Sequence, residues 1–299
     1  MDTLDRLPSV RVRHVSTYYE TLPIGGPGGQ DGFLNSAALL DTSSSPQQLL
    51  AHCLQVESIA GRRREERWGA RTLDIDLLLY DDLVVTAPEL VLPHPRMTFR
   101  RFALEPAAEI AGEMVHPPTG WTVAQLLENL GARPLYLALT GGHSAERSSL
   151  LQRVSTRTAV DLALDRTPYP RGHNLSRQIE FLDSRADLLE AARRTARQTL
   201  LSDFWFDDVL AWDQTEFSHN HWSQLHAHWT EHRPQEMVPN LILMMPAAVD
   251  TVAQNDAKRL RDVWKAGVPN QAPSFDLPAD LELAADELVA AVQAMQKSD

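Results

Sequence analysis

Lysine is nearly absent from this chain of 299 residues, occurring only at Lys258, Lys265 and Lys297. The positive charge is therefore almost entirely arginine, and acidic residues outweigh it to leave a net charge of −12. A chain of this charge is not expected to bind nucleic acid through an overall basic surface, although a local basic cleft is compatible with it. No lysine stands among the first 257 residues, so a motif in that part of the chain that normally uses lysine is altered here.

Cysteine and long apolar runs are also scarce. Cys53 is the single cysteine, which excludes a disulfide within the chain and fits a reducing compartment. No apolar run reaches the ~20 residues that a membrane helix needs. The first residues, M-D-T-L-D-R-L-P, lack the charged-then-apolar pattern of a signal peptide. These absences predict a cytoplasmic protein without a membrane segment, and the length suggests two domains.

The first part of the chain alternates between strand and helix patterns. Ser45 and Pro46, for example, suit the cap and the first turn of a helix. Gly131–Pro134 is the predicted boundary between a domain of residues 1–131 and a second domain of residues 134–299. The elements predicted before it are strands at Val10–Tyr19, Phe33–Leu40, Leu73–Tyr80 and Leu83–Val85, helices at Pro46–Ala60, Thr98–Ile110 and Thr122–Leu130, and a glycine-rich loop at Leu22–Gly32.

After the boundary the pattern becomes that of a parallel α/β sheet. An apolar strand, a glycine turn and a helix follow one another, and a second apolar strand comes much later. The predicted elements are strands at Leu135–Thr140 and Leu241–Met245, a helix that begins at Ser148, and helices at Leu175–Thr199, Ser218–Trp229 and Leu281–Gln296. The fold class predicted for the whole chain is α/β.

Two aspartates interrupt an apolar run in R-W-G-A-R-T-L-D-I-D-L-L-L-Y, residues 67–80. Strand side chains alternate between faces, so Asp74 and Asp76 share one face and their apolar neighbours share the other. Charge in a buried strand is costly unless it is paired or binds a metal. Carboxylates beside arginines suit Mg²⁺ with a nucleoside triphosphate, and ion pairs with Arg71 and Arg100 are the alternative. The nearby arginines are Arg62, Arg63, Arg64, Arg67, Arg71, Arg96, Arg100 and Arg101.

Further motifs lie on both sides of these aspartates. L-P-H-P-R-M-T-F-R-R-F-A-L-E-P-A-A-E-I-A follows them, and Y-Y-E-T-L-P-I-G and D-G-F-L-N-S-A precede them. Over about residues 5–130, this set resembles the 6-hydroxymethyl-7,8-dihydropterin pyrophosphokinase family of folate biosynthesis. The resemblance implies a ferredoxin-like α+β fold. It also implies an ATP-dependent diphosphotransferase that moves the β,γ-pyrophosphate of ATP to the hydroxymethyl oxygen of the pterin and releases AMP.

The resemblance assigns roles to matching positions. Asp74 and Asp76 would be catalytic together with Arg62 and Arg71, and the two aspartates would hold two Mg²⁺ ions that bridge the ATP phosphates. Phe33 and Phe102 would stack on the two pterin faces, and Asn35 would bond the ring edge. Core packing is the alternative for the two phenylalanines. The other implied roles are phosphate binding by Arg62, Arg64, Arg71, His94 and Arg100, main-chain contacts to the pterin from Thr21 to Ile24, and closure of the site by a mobile loop containing Trp68.

Two features depart from the family pattern. The family helix ahead of the arginine loop carries Gln three residues before its Glu, whereas Leu54 stands there in this chain, so a nucleotide contact is missing or shifted. The family also begins with a strand ending in Gly-Ser-Asn-Leu-Gly, and residues 1–7 resemble only the end of the helix after it. Loss of that interior strand would leave unpaired edges. Either the true start lies upstream or this domain is damaged.

The second half contains an altered phosphate loop, L-Y-L-A-L-T-G-G-H-S-A-E-R-S-S-L. Against G-x-x-x-x-G-K-[ST], Gly141 and Ser148 fit, but Glu146 replaces the second glycine and Arg147 the lysine. With a Ser-Asp pair followed by Phe204, and with V-P-N-L-I-L-M-M, the layout resembles a deoxynucleoside kinase over about residues 134–299. The resemblance implies a P-loop-kinase-like parallel sheet, and the alterations predict that phosphoryl transfer has been lost.

A histidine cluster in S-H-N-H-W-S-Q-L-H-A-H-W has a spacing that favours a polar helix face over a zinc site. Its members are His219, His221, His226 and His228. The predicted function is a pterin pyrophosphokinase that uses ATP, hydroxymethyldihydropterin and Mg²⁺ and carries an inactive kinase-like domain. An active nucleoside kinase with a residual pterin domain and a non-enzymatic scaffold with both domains degraded are the alternatives.

Overall fold

The computed structural model describes residues 2–7, 9–24, 31–61, 72–167, 174–211, 218–232, 238–246 and 272–296. The chain divides into two compact units. Unit 1 comprises Met1–Gly131 with Ala290–Asp299, and unit 2 comprises Ala132–Val289. The fold is mixed α/β, as predicted, because unit 1 contains antiparallel ladders with helices and unit 2 contains a parallel sheet with helices.

Unit 1 is built from short strands and four helices within the described residues. The strands are β1 (Val10–Val15), β2 (Tyr19–Thr21), β3 (Phe33–Asn35), β4 (Ala38–Thr42), β5 (Val85–Ala87), β6 (Leu90–Leu92), β7 (Val115–His116) and β8 (Trp121–Thr122). The helices are α1 (Asp2–Asp5), α2 (Pro46–Ile59), α3 (Arg101–Ala111) and α4 (Val123–Asn129), with a 3₁₀ turn at Met97–Phe99. Antiparallel ladders join β1 to β4, β2 to β3, β5 to β6 and β7 to β8.

Helix α2 starts where its sequence predicts. The Gln48 N–H donates to the Ser45 hydroxyl, the Gln48 side chain accepts from the Ser45 N–H, and Pro46 occupies the first turn. Cys53 lies on its buried face, and burial together with Glu57 raises the pKa of this thiol to about 11. The helix ends at Ile59, within one residue of the prediction.

The first two predicted strands are each divided in two. Val10–Tyr19 becomes β1 and β2, and Phe33–Leu40 becomes β3 and the start of β4. The change of ladder occurs at Ser16, whose N–H donates to the Ala37 carbonyl oxygen at 2.9 Å, while the Ala37 N–H donates to the Ser16 hydroxyl at 2.9 Å. The apolar residues do not mark this break, because they stand on both sides of it in each segment, as Val15 and Tyr18 do around Ser16.

The prediction of a strand at Leu73–Tyr80 was wrong in one respect. The segment forms no ladder with any strand that the structure describes, but its residues keep the predicted alternation, with Asp74 and Asp76 exposed. Ile75 and Leu77 pack instead against a buried cluster that includes Cys53. Apolar patterning selects a buried face, whereas a ladder also requires a partner edge. The implied ferredoxin-like sheet is not confirmed, since the described ladders of unit 1 have two strands each.

Unit 2 contains a five-stranded parallel sheet in the order β10-β11-β9-β12-β13. Its strands are β9 (Leu135–Gly141), β10 (Asp161–Ala163), β11 (Thr199–Ser202), β12 (Leu241–Met245) and β13 (Ser274–Asp276). The helices that follow strands are α5 (Ser144–Ser155), α6 (Leu175–Thr195), α7 (His219–His232) and α8 (Leu281–Met295), with a 3₁₀ helix at Phe206–Ala211. The last residues of α8, from Ala290, are assigned to unit 1. Among the helices in the described ranges, none combines the length and the apolar character needed to cross a membrane.

Several boundaries in unit 2 differ from the prediction. Helix α5 starts at Ser144 rather than Ser148, because Glu146 accepts from the His143 N–H and completes an earlier cap. Helix α6 ends at Thr195, and part of the segment predicted as its last turn is the beginning of β11. β10, β11 and β13 were not predicted, since three or four residues are too few to show a period. The buried central strands β9 and β12 were predicted correctly.

Candidate functional site

The acidic segment of unit 1, which contains Asp74 and Asp76, lies next to the side chains of His94 and Arg100. The carboxylate of Asp76 lies 3.3 Å from the Arg100 guanidinium and 3.8 Å from Nε2 of His94. Asp74, two residues earlier on the same side of the extended segment, is also exposed. The structure therefore brings Asp76, His94 and Arg100 together.

A buried carboxylate holds the main chain between the two aspartates. Glu57, on the inner face of α2, is 1% exposed, and its Oε1 accepts from the Ile75 N–H at 2.7 Å. Asp74 and Asp76 flank Ile75, so this bond helps to fix the position from which both carboxylates project. The sequence contained a signal for Glu57, namely a charged residue one helical turn after buried Cys53, but it was not among the predicted site residues.

His94 is neutral in this arrangement. The Arg96 N–H donates to Nδ1 of His94 at 3.2 Å, which assigns the ring proton to Nε2, the nitrogen nearer Asp76. Burial lowers the pKa of His94 to about 4, although Asp76 acts in the opposite direction. At neutral pH the ring can therefore donate a hydrogen bond through Nε2 without carrying a charge.

The residues predicted to bind the pterin lie on the β2–β3 ladder and at the start of α3. Thr21 is opposite Phe33, and the Asn35 amide donates to the Thr21 hydroxyl at 2.8 Å. Phe33 and Asn35 are half-buried. The Arg100 guanidinium carbon lies 5.5 Å from the centre of the Phe102 ring. The ladder thus groups Thr21, Phe33 and Asn35, while Phe102 lies next to Arg100.

Other predicted residues have a less complete description. Ile24 is half-buried at the end of a described range. Arg62, Arg64, Trp68 and Arg71 lie outside the described residues. Within the described ranges, no group of three or more His, Cys, Asp or Glu side chains is placed to hold a metal ion. Asp74 and Asp76 nevertheless fit Mg²⁺, which proteins usually hold through one or two carboxylates together with substrate phosphates.

In the altered phosphate loop of unit 2, the side chain of Arg147 forms hydrogen bonds with the main chain of the loop. Arg147 Nη1 donates to the carbonyl oxygens of Gly141 at 2.6 Å and Gly142 at 3.2 Å, and its Nε donates to the carbonyl oxygen of Asp203 at 2.6 Å. Burial lowers the pKa of Arg147. A loop that cradles phosphate turns N–H groups towards the anion, whereas these carbonyl oxygens face a cation.

The loop conformation depends on its glycines. Gly141 and Gly142 have φ of 75° and 53°, in the region that favours glycine. A Cβ on Gly141 would lie 2.5 Å from the Met245 carbonyl oxygen on β12. The turn after β9 therefore retains its glycine requirement, although the residues that would contact nucleotide have changed.

Beside the loop, a charged network joins the ends of β10 and β11 to α6. Asp203 accepts from the Ser148 hydroxyl and, at 2.7 Å, from the Asp165 N–H. Arg185 on α6 donates to Asp165 at 2.7 Å and to Asp208 at 2.6 Å. Burial opposes the charge of Arg185, but the carboxylates of Asp208 and Asp165 outweigh it and raise its pKa. Ser148 and Asp203 are thus engaged with protein groups.

Two members of the histidine cluster bond to α6 rather than to one another. His221 contacts the Gln178 side chain at 2.5 Å, and His228 contacts Asp183 at 2.7 Å. The ring of His226 lies between Trp222 and Trp229. His221 and His228 are thus part of the α6–α7 contact, while His219 and His226 are exposed, in agreement with the prediction of a polar helix face.

Comparison with known proteins gives two results. Residues 1–112 match the family described as 7,8-dihydro-6-hydroxymethylpterin-pyrophosphokinase. A structural comparison with deoxyadenosine kinase from M. mycoides covers 52% of this chain and 96% of that one, with a TM-score of 0.39 and 11% identity, which is too weak to carry an argument about unit 2.

The curated relatives resemble unit 1 closely. The 2-amino-4-hydroxy-6-hydroxymethyldihydropteridine pyrophosphokinase of Methylorubrum extorquens is 43% identical over 130 residues, which are 44% of this chain and 80% of the relative. The enzyme of the same name from Synechocystis is 38% identical over 132 residues, or 44% of this chain and 67% of the relative. Because this identity extends over most of each relative, the chain belongs to the 7,8-dihydro-6-hydroxymethylpterin-pyrophosphokinase family.

Proposed function

We propose that unit 1 transfers the β,γ-pyrophosphoryl group of ATP to the hydroxymethyl oxygen of 6-hydroxymethyl-7,8-dihydropterin, in folate biosynthesis. The observation that carries this proposal is the meeting of Asp76 with Arg100 and neutral His94 beside exposed Asp74. The carboxylate of Asp76, which suits a hard cation, thereby lies within 4 Å of two donors that suit phosphate oxygens. The relatives' names supply the substrates.

The reaction needs positioning and charge neutralisation more than covalent help. The hydroxymethyl oxygen of the pterin would attack the β-phosphorus of ATP and lose its proton to solvent. The bond from that phosphorus to the oxygen shared with the α-phosphorus would break, and its electron pair would leave with AMP. Arg100 and the Nε2–H of His94 would donate to phosphate oxygens, while Mg²⁺ bound at Asp74 and Asp76 would neutralise phosphate charge.

The remaining assignments rest on the motifs. Phe33 and Phe102 would stack on the pterin, Asn35 would bond its edge, and Thr21 to Ile24 would offer main-chain groups. Arg62, Arg64 and Arg71 would line the triphosphate, Trp68 would lie in the closing loop, and the two carboxylates would hold two Mg²⁺ ions. A ferredoxin-like arrangement of unit 1 is part of this proposal, supported by its family membership.

A direct assay tests the function. The full chain is incubated with ATP and hydroxymethyldihydropterin, with and without Mg²⁺, and AMP and the pterin diphosphate are separated by chromatography. We expect equal amounts of both products, formed only when Mg²⁺ and the pterin are present. Failure to form the pterin diphosphate under these conditions would contradict the proposal.

For unit 2 we propose a P-loop-like fold without phosphoryl transfer. The observation that favours it is Arg147, whose guanidinium bonds three main-chain carbonyl oxygens around the loop after β9. Ser148, which would hold Mg²⁺ in an active loop, donates instead to Asp203. The altered loop thus makes its own hydrogen bonds, and the nucleotide phosphates would have to break them in order to bind.

A further inference from the structure

Glu109, near the end of α3, collects hydrogen bonds from the segment that connects β1 to β2. The Thr17 N–H donates to its two carboxylate oxygens at 3.0 and 3.2 Å, the Thr17 hydroxyl at 2.8 Å and the Tyr19 hydroxyl at 3.0 Å. The hydrogen bonds from Thr17 lower the pKa of Glu109, although the carboxylate is fully exposed. One charged side chain therefore ties the approach to β2 to α3.

One face of the β2–β3 ladder carries Tyr19, whose hydroxyl bonds Glu109. Tyr19 pairs with Asn35 and Thr21 pairs with Phe33, so these four side chains share a face. Glu20 and Leu34 occupy the other face, where Leu34 is 69% exposed. Tyr19, which bonds Glu109, is therefore on the same face as Phe33 and Asn35, the residues assigned to the pterin.

Helix α3 carries both Glu109 and Phe102, the second phenylalanine assigned to the pterin. Phe102 and Glu109 are seven residues apart, which places them on the same side of the helix and about 10 Å apart along its axis. Glu109 contacts the ladder at one end of this side, while Phe102, assigned to the second face of the pterin, stands at the other. The bonds of Glu109 therefore fix the distance at which the ladder stands from the helix.

We propose that Glu109 is a positioning residue that sets the gap between Phe33 and Phe102 into which the pterin ring fits. The proposal rests on the proposed function of unit 1 for the identity of the ring. Stacking is sensitive to this gap, because dispersion attraction falls steeply when surfaces separate by 0.5–1 Å. ATP would be held elsewhere, by the arginines and carboxylates, and would be less sensitive to it.

Three variants of the full chain separate this role from a general loss of structure. Glu109→Ala removes all the acceptors, Glu109→Gln keeps one carbonyl oxygen without the charge, and Tyr19→Phe removes one donor. Glu113→Ala is the matched control, since Glu113 is an exposed carboxylate just beyond the end of α3. For each variant, KM is determined for the pterin and for ATP, and hydrogen exchange is followed for residues 16–21 and 33–36.

We expect Glu109→Ala to raise KM for the pterin about fivefold or more, with a much smaller change for ATP, and Glu109→Gln to recover part of the loss. Exchange in both peptides should become faster in Glu109→Ala and stay unchanged in Glu113→Ala. Unchanged exchange in Glu109→Ala, or equal changes in both KM values, would overturn the positioning role. A failure of the proposed function would be seen separately, as a lack of AMP release by the unmodified chain, and the exchange measurement does not depend on turnover.

Discussion

The guanidinium of Arg100 lies 3.3 Å from the carboxylate of Asp76, from which it is separated by 24 residues of sequence. Arg100 is the residue that precedes α3, so the start of this helix and the extended acidic segment meet at one point. Since the ion pair is partly exposed, it contributes little stability by itself. In the proposed reaction, its value lies in placing Arg100, as a donor to phosphate, beside a carboxylate that would bind Mg²⁺.

Replacement of either aspartate is expected to abolish the reaction. Asp74→Ala and Asp76→Ala should each lower the rate of Mg²⁺-dependent AMP release by at least about 100-fold, because phosphate charge would no longer be neutralised. The measurement is steady-state AMP formation with saturating ATP and pterin. Asp82→Ala, in the exposed turn that follows the segment, is the control and should react normally. Near-normal turnover in either of the first two variants would refute the metal assignment.

Truncation of the two phenylalanines is expected to affect one substrate selectively. Phe33→Ala and Phe102→Ala should weaken pterin binding by about tenfold, since aromatic stacking contributes roughly 0.5–1.5 kcal/mol beyond the burial of area. Calorimetric titration of each variant with pterin and with a non-hydrolysable ATP analogue makes the comparison. Leu34→Ala, on the other face of β3, is the control. Equal losses for both ligands would indicate core packing instead.

Unit 2 of the full chain is not expected to phosphorylate deoxynucleosides. Arg147 is bonded to the loop carbonyl oxygens, and a planar guanidinium does not substitute for a compact ammonium at the β- and γ-phosphates. The assay is the formation of labelled deoxynucleoside monophosphate from each common deoxynucleoside. A second test introduces Glu146→Gly and Arg147→Lys into a chain that already carries Asp74→Ala and Asp76→Ala, in which the proposed Mg²⁺ site of unit 1 is removed. This chain should bind Mg-ATP more tightly than the chain with the two aspartate substitutions alone. Robust phosphorylation by the unmodified chain would make this a bifunctional enzyme.

Loss of Arg185 is expected to destabilise unit 2 strongly. Its side chain is 6% exposed and pairs with Asp165 and Asp208, so Arg185→Met would leave two largely buried carboxylates without this guanidinium. Breaking such a pair costs about 3–5 kcal/mol. Arg194→Ala, whose pair with Glu190 is largely exposed, should cost no more than about 0.5 kcal/mol. Denaturant unfolding of the two variants, followed by circular dichroism, measures the difference, and similar midpoints would contradict the expectation.

His116 is expected to make unit 1 less stable in mild acid. The residue is 6% exposed, and burial lowers its pKa from 6.5 to about 4. Between these values the unfolded chain binds more protons than the folded one, so stability falls as the pH falls from 6.5 towards 4, by up to about 1.4 kcal/mol per pH unit. The decrease in unfolding free energy from pH 7 to pH 4.5 should therefore be smaller for His116→Asn than for the unmodified chain. An equal decrease in both would exclude this role.

The sequence was a good guide where a local pattern decides the structure. The cap of α2 depends on Ser45 and Gln48, three residues apart, and the buried strand β9 begins with five consecutive apolar or aromatic residues, Leu135 to Leu139. The acidic segment was also predicted in its essential feature, since Asp74 and Asp76 face away from the apolar side. Its lack of a ladder was not predictable from the segment, because a ladder is a property of two edges.

Contacts between distant residues account for what was missed. Glu109 and Thr17 are separated by 92 residues, and a glutamate on an exposed helix face gives no local sign of such a partner. Likewise, the substitution of Arg147 for lysine is visible in the sequence, but the direction of its side chain depends on carbonyl oxygens of Gly141, Gly142 and Asp203. Residue identity predicted the loss of a phosphate ligand, and only the fold shows what replaces it.

The hydrogen bonds of Arg147 with the loop after β9 also have a thermodynamic consequence. A protein that binds a ligand only when folded becomes more stable as ligand accumulates, by about 2.7 kcal/mol at a concentration one hundred times Kd. If unit 2 binds no nucleotide at this loop, as proposed from the bonds of Arg147, its melting would be indifferent to the nucleotide concentration. Unit 1 would gain stability as ATP and magnesium rise, so the two parts of one chain would respond differently to the energy state of the cell.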